Sequence, residues 1–262
     1  MKRFVKTALF AALLPCMTVT LTPAYAATNS ANVSPAERAK IEEIVHQYLV
    51  TKPEVLVEAM QVLQNRQVEQ AKQSVQKTQA DAPKFANPLF HQANDPVVGN
   101  KDGKVTVVEF FDYQCQHCVD MAPIMDAVIK ANPDVRIVFK EWPIRGPMSE
   151  FASRAALAAN QQGKYLEFHS ALFSVTPPLT QENILEAAKN AGLDVEKLKK
   201  DMNDKGISDQ LKTTMKLAQD LKLFGTPAFF IGQSTGQKTG ITYVPGEMNQ
   251  KQLQEVIDKI NK

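Results

Sequence analysis

Cysteine is scarce in this chain. Only Cys16, Cys115 and Cys118 occur among 262 residues, which excludes a small scaffold held together by a disulfide framework. Charge of one sign is lacking as well. The 30 basic residues nearly balance the 28 acidic ones, with no basic stripe or acidic tail, so nucleic acid is not an expected partner. Long apolar runs are absent beyond the first 26 residues, which excludes a multispanning membrane protein. The 44% hydrophobic and 22% charged content is that of a globular chain, and it excludes collagen-like, coiled-coil-only and wholly disordered readings.

The one apolar run reads as an export signal. Lys2, Arg3 and Lys6 form a charged start, residues 7–21 are apolar, and Ala24-Tyr25-Ala26 gives a small-x-small cleavage pattern. Pro15 interrupts the run, which is shorter than the ~20 apolar residues a membrane span needs. Lipidation at Cys16 is disfavoured because Pro15 stands where a small residue is wanted. Cleavage would leave residues 27–262 in an oxidising, extracytoplasmic compartment. Without the three basic residues of the flank, 27 basic residues face 28 acidic ones.

Residues 27–33 are small and polar and are expected to be disordered. Ser34-Pro35-Ala36-Glu37 is a helix start with a capping box. Ile41, Ile44, Val45, Tyr48 and Leu49 then share one helical face. Pro53 separates this helix from a second, in which Leu56, Met60 and Leu63 continue an apolar face. Glutamines at 64, 67, 70, 73, 76 and 79 follow. A three-residue spacing precesses around a 3.6-residue helix, so this segment reads as a solvated connector ending near Pro83. The apolar faces before it are expected to pair with a second copy of the chain.

Strands are expected at Val97–Gly99, Lys104–Tyr113, Val135–Trp142, Ala228–Ile231 and Gly240–Val244. Helices are expected from Cys115 to Ala131, through much of 146–224, and over Gln250–Ile260. Gly163 and Gly192 mark helix breaks, and Thr180 and Asp194 mark helix starts.

Cys115-Gln116-His117-Cys118 lies where the second strand gives way to a helix. A helix start carries unpaired N–H groups and about half a positive charge, which favours the Cys115 thiolate. Cysteines in such places have pKa values of roughly 3.5–7.5. A cationic His117 would push the same way. Lowering the thiol by about three pH units stabilises the reduced pair by roughly 4 kcal/mol, and a Cys115–Cys118 disulfide weakened in this way tends to be handed on. Cys115, at the helix tip, is expected to be the exposed nucleophile, with Cys118 one turn inward to resolve the mixed disulfide. Zinc would need four ligands, whereas His46, His91 and His169 are scattered. Glu109 interrupts an apolar strand, where a carboxylate is costly unless partnered. It is either a buried proton acceptor for Cys118 or an ion-pair partner of Lys140 in the neighbouring strand.

The Val-Glu-Phe-Phe strand, the Cys-Gln-His-Cys motif, a helical insertion and Gly225-Thr226-Pro227 before a strand resemble the DsbA family of thioredoxin-fold oxidoreductases over residues 95–262. The resemblance implies an α/β, thioredoxin-like domain over 84–262 with an inserted helical domain at about 146–222, following the signal over 1–26 and the helical extension over 27–83 that is expected to dimerise. It implies that Cys115 attacks, that Glu109 is the family's buried acid, and that Pro227 is cis and faces the cysteines. Thr226 would then offer backbone groups to an extended substrate. Two features depart from the strongest oxidases of the family. Gln116-His117 replaces Pro-His, and the N-terminal helices are similar to the extension of a dimeric subgroup, some once labelled outer-membrane proteins. Thr226 also resembles the dimeric isomerases.

The reading that follows is a periplasmic thiol:disulfide oxidoreductase, an oxidase and also an isomerase, that needs no bound cofactor or metal. Its partners would be exported clients with cysteines, a membrane quinone-linked oxidase or membrane thiol reductant, and a second copy of itself. The alternatives are a holdase-type chaperone and a metal-sequestering protein using the cysteine pair.

Overall fold

The computed structural model describes residues 33–235 and 240–262. The export signal, Cys16 and nearly all of the 27–33 segment lie outside the described residues. The chain divides into two compact units, one ending at Leu63 and one spanning Gln64–Lys262.

In the first unit, helix α1 (Pro35–Thr51) starts as its capping box dictates. The Glu37 N–H donates to Ser34 Oγ at 3.3 Å, and the Ser34 N–H donates back to Glu37 Oε2 at 2.9 Å. Helix α2 (Glu54–Asp81) begins after Pro53 and runs across the boundary between the units. No residue of α1 is buried. Ile41, Ile44, Val45, Tyr48, Leu56, Met60 and Leu63 are all exposed.

The second unit is built on a five-stranded sheet of order β1-β3-β2-β4-β5, with β1 at Val97–Gly99, β2 at Val105–Phe111, β3 at Val135–Glu141, β4 at Ala228–Gln233 and β5 at Thr242–Pro245. Only β2 and β3 pair in parallel. Helix α4 (Gln116–Ala131) makes the crossover between them. All seven residues of β2 are buried, as expected of a strand covered on both faces. Five helices stand between β3 and β4: α5 (Pro147–Gln161), α6 (Tyr165–Phe173), α7 (Gln181–Asn190), α8 (Val195–Asp201) and α9 (Lys205–Asp220). Gly163 and Gly192, at φ +70° and +75°, break this block after α5 and α7. Thr180 and Asp194 cap α7 and α8. Helix α10 (Gln250–Asn261) ends the chain.

Each sheet face has its own core. Val105, Val107 and Phe111 of β2 join Ile137 and Phe139 of β3, Phe229 and Ile231 of β4, and the apolar faces of α4, the inserted helices and α10. On the other face Val108 and Phe110 meet Val138, Phe230, Leu89, Phe90 and Leu217. Leu89 and Phe90 belong to helix α3 (Ala86–Phe90), which follows a 3-10 turn at Ala82–Phe85.

The glutamine-rich segment is not wholly solvated. Its last turns carry Thr78, whose hydroxyl donates to the Leu221 carbonyl at 2.9 Å, and Gln79, which brackets the backbone of Ile241 and Tyr243 at 2.6 and 2.7 Å. An amide with both a donor and an acceptor can pair with an open stretch of backbone, and the spacing of the glutamines does not reveal which of them does so. No described helix is long and apolar enough to cross a membrane.

Candidate active site

Cys115 is the N-cap of α4, in extended conformation at φ −86°, ψ 113°. The β2–α4 loop is held by Asp112, which accepts four hydrogen bonds. Its Oδ1 takes the Gln114 N–H and the Ser149 hydroxyl, each at 2.7 Å. Its Oδ2 takes the N–H groups of Ile144 and Arg145 at 2.7 and 2.9 Å. This ties the segment after β3 to the segment before α4. As a result, Arg145 Nη2 stands 3.6 Å from Cys115 Sγ. On the other side the Thr226 carbonyl oxygen accepts from Sγ at 3.2 Å, and the Thr226–Pro227 bond is cis.

Cys115 is fully buried, not the exposed thiol that its place at a helix tip suggests. Thr226 and Arg145 cover it. Both cysteines are free thiols. The Cys115 thiol is drawn down to about 5. The largest cause is the hydrogen bond from the Cys118 thiol. The Thr226 hydroxyl, the Cys118 backbone N–H and the charge of Arg145 add to it, and burial opposes it. The Cys118 thiol thus contributes more than the Cys118 backbone N–H at the helix tip. The Thr226 Oγ1 has no other partner among the described residues. Cys118 is buried and its thiol is pushed far up, first by desolvation, then by its bond to Cys115 and the charge of Glu109.

His117 turns outward. Its Nδ1 lies 2.5 Å from Glu247 Oε1, and that carboxylate raises the imidazole's pKa. Gln116 is also at the surface, donating to Asp120 at 2.9 Å. His117, Asp120 and Glu247 form a cluster of metal-ligand spacing, all three exposed. Neither cysteine belongs to it.

Glu109 is buried beneath the cysteines, and its carboxyl is raised to about 8 by burial, then by the charges of Cys115 and Glu141. It does not pair with Lys140. Strand register explains why: Glu109 lies opposite Phe139, and Phe110 lies opposite Lys140. Side chains alternate along a strand, so Lys140 emerges on the far face of the sheet. There it pairs with Asp95 and donates to the Pro88 carbonyl at 2.6 Å, with both charged side chains 1% exposed. Lys140 is therefore a structural cation away from the cysteines. Arg145, Asp112 and Glu247 were not singled out by the sequence. No local spacing links Arg145 and Glu247 to the motif, and Asp112, three residues before Cys115, shows its role only through its contacts with Ile144, Arg145 and Ser149.

Two family models match the chain. The DSBA-like thioredoxin domain matches residues 106–258, and the copper resistance protein ScsC N-terminal domain matches residues 37–70. A thioredoxin-like oxidoreductase from Silicibacter pomeroyi DSS-3 is 42% identical, covers 67% of this chain and 96% of its own, and superposes with a TM-score of 0.62. BcfH from Salmonella enterica Typhimurium is 35% identical and covers 87% of this chain and 97% of its own, with a TM-score of 0.63. A probable disulfide bond formation protein D from Bacillus anthracis is 27% identical over 158 residues, 55% of this chain and 73% of that protein. The chain spans only 21% of the first curated relative it matches, a Na(+)/H(+) antiporter NhaA 3 of Salinispora tropica, at 28% identity over 139 residues.

Proposed function

Because the chain belongs to the family of DSBA-like thioredoxin domains, we propose that it is a periplasmic oxidase of exported proteins that also isomerises their disulfides. The observation that carries this reading is the opposed acidity of the two thiols. Cys115 ionises at about 5 between Arg145 and Thr226, whereas Cys118 behind it stays protonated. At pH 7 a thiol at about 5 in place of 9 stabilises the reduced pair by up to ~3 kcal/mol, equivalent to roughly 60 mV of added oxidising power.

The reaction follows from this asymmetry. A client thiolate attacks Sγ of Cys115 in the Cys115–Cys118 disulfide. The bond between the two cysteines breaks, and Cys118 leaves, taking a proton from the Glu109 carboxyl. The client's second thiolate then attacks the client sulfur of the mixed disulfide and releases Cys115 as a stabilised thiolate. Two electrons pass from client to protein. Run backwards, the same steps reduce a wrong bridge, and repetition isomerises it. A membrane quinone-linked oxidase would restore the disulfide in the first mode, and a membrane reductant would keep the dithiol in the second.

The N-terminal helices support self-association. Burying side chains such as Ile41, Ile44 and Tyr48 in a homodimer is worth ~1.5–3 kcal/mol each, and these residues are 52%, 57% and 48% exposed.

The test is the redox state of Cys115 and Cys118 in cells, read by thiol trapping, together with refolding of a reduced client. A mostly oxidised pair supports the oxidase role and a mostly reduced pair the isomerase role. A Cys115→Ala variant that refolds the client at the full rate overturns thiol exchange and leaves a holdase.

A further inference from the structure

One buried acidic group has no part in the steps above. Glu141 ends β3 at 2% exposure. Its Oε1 accepts from the hydroxyls of Tyr165 at 2.7 Å and Tyr113 at 3.1 Å. Tyr113 also meets His169 Nδ1 at 3.0 Å. With that nitrogen protonated, the chain runs His169 N–H to Tyr113, and Tyr113 O–H to Glu141. Glu141 Oε2 has no hydrogen-bond partner among the described residues, and neither has the hydroxyl of nearby Ser153. No described cation pairs with this carboxyl. One oxygen is therefore held by two phenols while the other has only the Ser153 hydroxyl near it, and burial holds the carboxyl well above the ordinary glutamate value.

The register places it beside Glu109. Phe111 is opposite Glu141 and Glu109 is opposite Phe139, so the two acids lie diagonally on one sheet face, close enough for the charge of Glu141 to act on Glu109. That face also carries Cys115 and Cys118. The groups that face the pair are Cys115 and Cys118 from α4, Asp112 and Tyr113 from the loop before it, Ser153 from α5, and Tyr165 and His169 from α6. None of these is a cation at neutral pH, since burial holds His169 neutral, with its pKa down at about 3.

We infer that Glu141 is a positioning residue for the Cys118 proton: it and Glu109 form one coupled carboxyl pair, and the charge on either member decides when the other can give or take a proton. This rests on the proposed thiol exchange at Cys115 and Cys118. In the direction that resolves a mixed disulfide, Cys118 loses its proton to ionised Glu109 and attacks Cys115 Sγ. The bond from Cys115 to the outgoing sulfur breaks, and that sulfur leaves as a thiolate. An ionised Glu141 makes Glu109 a stronger base but leaves less of it ionised at a given pH.

The experiment mixes the reduced, full-length protein rapidly with oxidised glutathione across a pH series and follows closure of the Cys115–Cys118 bridge from the mixed disulfide. In the wild type, the acid limb of this step should have its midpoint above the ordinary glutamate value of 4.5 and below 8, because Cys115, whose charge helps to raise the Glu109 carboxyl, is bonded and uncharged in the mixed disulfide. In Glu141→Gln the midpoint should fall by about half a pH unit or more, because Glu141, itself raised to about 8, carries part of a charge where Glu109 titrates. A merely structural role changes stability and leaves the midpoint in place, so an unshifted midpoint in a folded variant overturns the inference. If Glu141→Gln does not fold, linkage supplies the reciprocal test. Glu109→Gln should lower the upper part of the Glu141 carboxyl titration, read from its infrared C=O band over the pH range where Glu109 is ionised, and an unmoved band there overturns the coupling. A wild-type protein inert toward oxidised glutathione, or a Cys115→Ala variant as active as wild type, overturns the exchange reading itself, an outcome distinct from an unshifted midpoint.

Discussion

Arg145 offers a sharp test of how the site holds its thiolate. Its guanidinium lies 3.6 Å from Cys115 Sγ, and the residue is otherwise exposed. At that distance two unit charges interact by ~1 kcal/mol in a water-like dielectric and by about four times that at an effective dielectric of 20. Because the arginine is open to solvent, the lower figure applies. Arg145→Met keeps the length and apolar stem of the side chain and removes the charge. The Cys115 thiol should then rise from about 5 by roughly 0.7 of a pH unit. Both values lie below 7, so the whole loss falls on the reduced state at neutral pH, and the potential should drop by ~20 mV. Ultraviolet absorbance of the thiolate against pH gives the first number, and equilibration with glutathione gives the second. A variant with the wild-type thiol pKa and potential refutes this electrostatic account of the site.

Three further expectations follow from the same geometry. Glu109 has a folded pKa of about 8 against 4.5 for an ordinary glutamate, so the native state binds more protons than the unfolded chain between those values. The charge penalty is absent below about 4.5 and grows as pH rises toward 8. Glu109→Gln should therefore raise the melting temperature at pH 8 and leave it nearly unchanged at pH 4, as read by thermal unfolding. Lys140→Met leaves Asp95 buried without its partner and should cost about 3–5 kcal/mol in urea unfolding. It should leave the Cys115 titration untouched, and the double variant with Asp95→Leu should recover most of the loss. Removing residues 27–63 should yield a monomer that still oxidises thiols but isomerises poorly. A deletion protein of unchanged subunit number in light scattering defeats the self-association proposal.

Local signals carried much of the fold. Ser34 with Glu37 and Thr180 with Asn183 form capping boxes readable from four-residue windows, and Cys115 sits at a strand-to-helix junction as its flanks require. What could not be read was sidedness. In β2 every residue is buried, so no alternation of apolar and polar residues shows which way Glu109 points, and a count from β2 to β3 does not fix their register. The sequence therefore leaves Glu109 two readings, and only the register of β2 against β3 removes its ion pair with Lys140. Arg145, Glu247 and Glu141 were missed for a related reason. Their partners lie 30, 130 and 28 residues away, and nothing in their immediate neighbours distinguishes them from surface or strand-end charges. Burial of Cys115 likewise depends on Thr226, 111 residues further on.

The most direct measurement is the acid–base titration of the Cys115 thiol in the reduced, full-length protein, with Cys118→Ala as the reference that removes the largest stabilising hydrogen bond. An inflection near 5 in the native protein, moving upward in the reference, is the expected result. A native thiol that titrates near 9, as an unperturbed cysteine does, contradicts the claim that this site is built to release a disulfide.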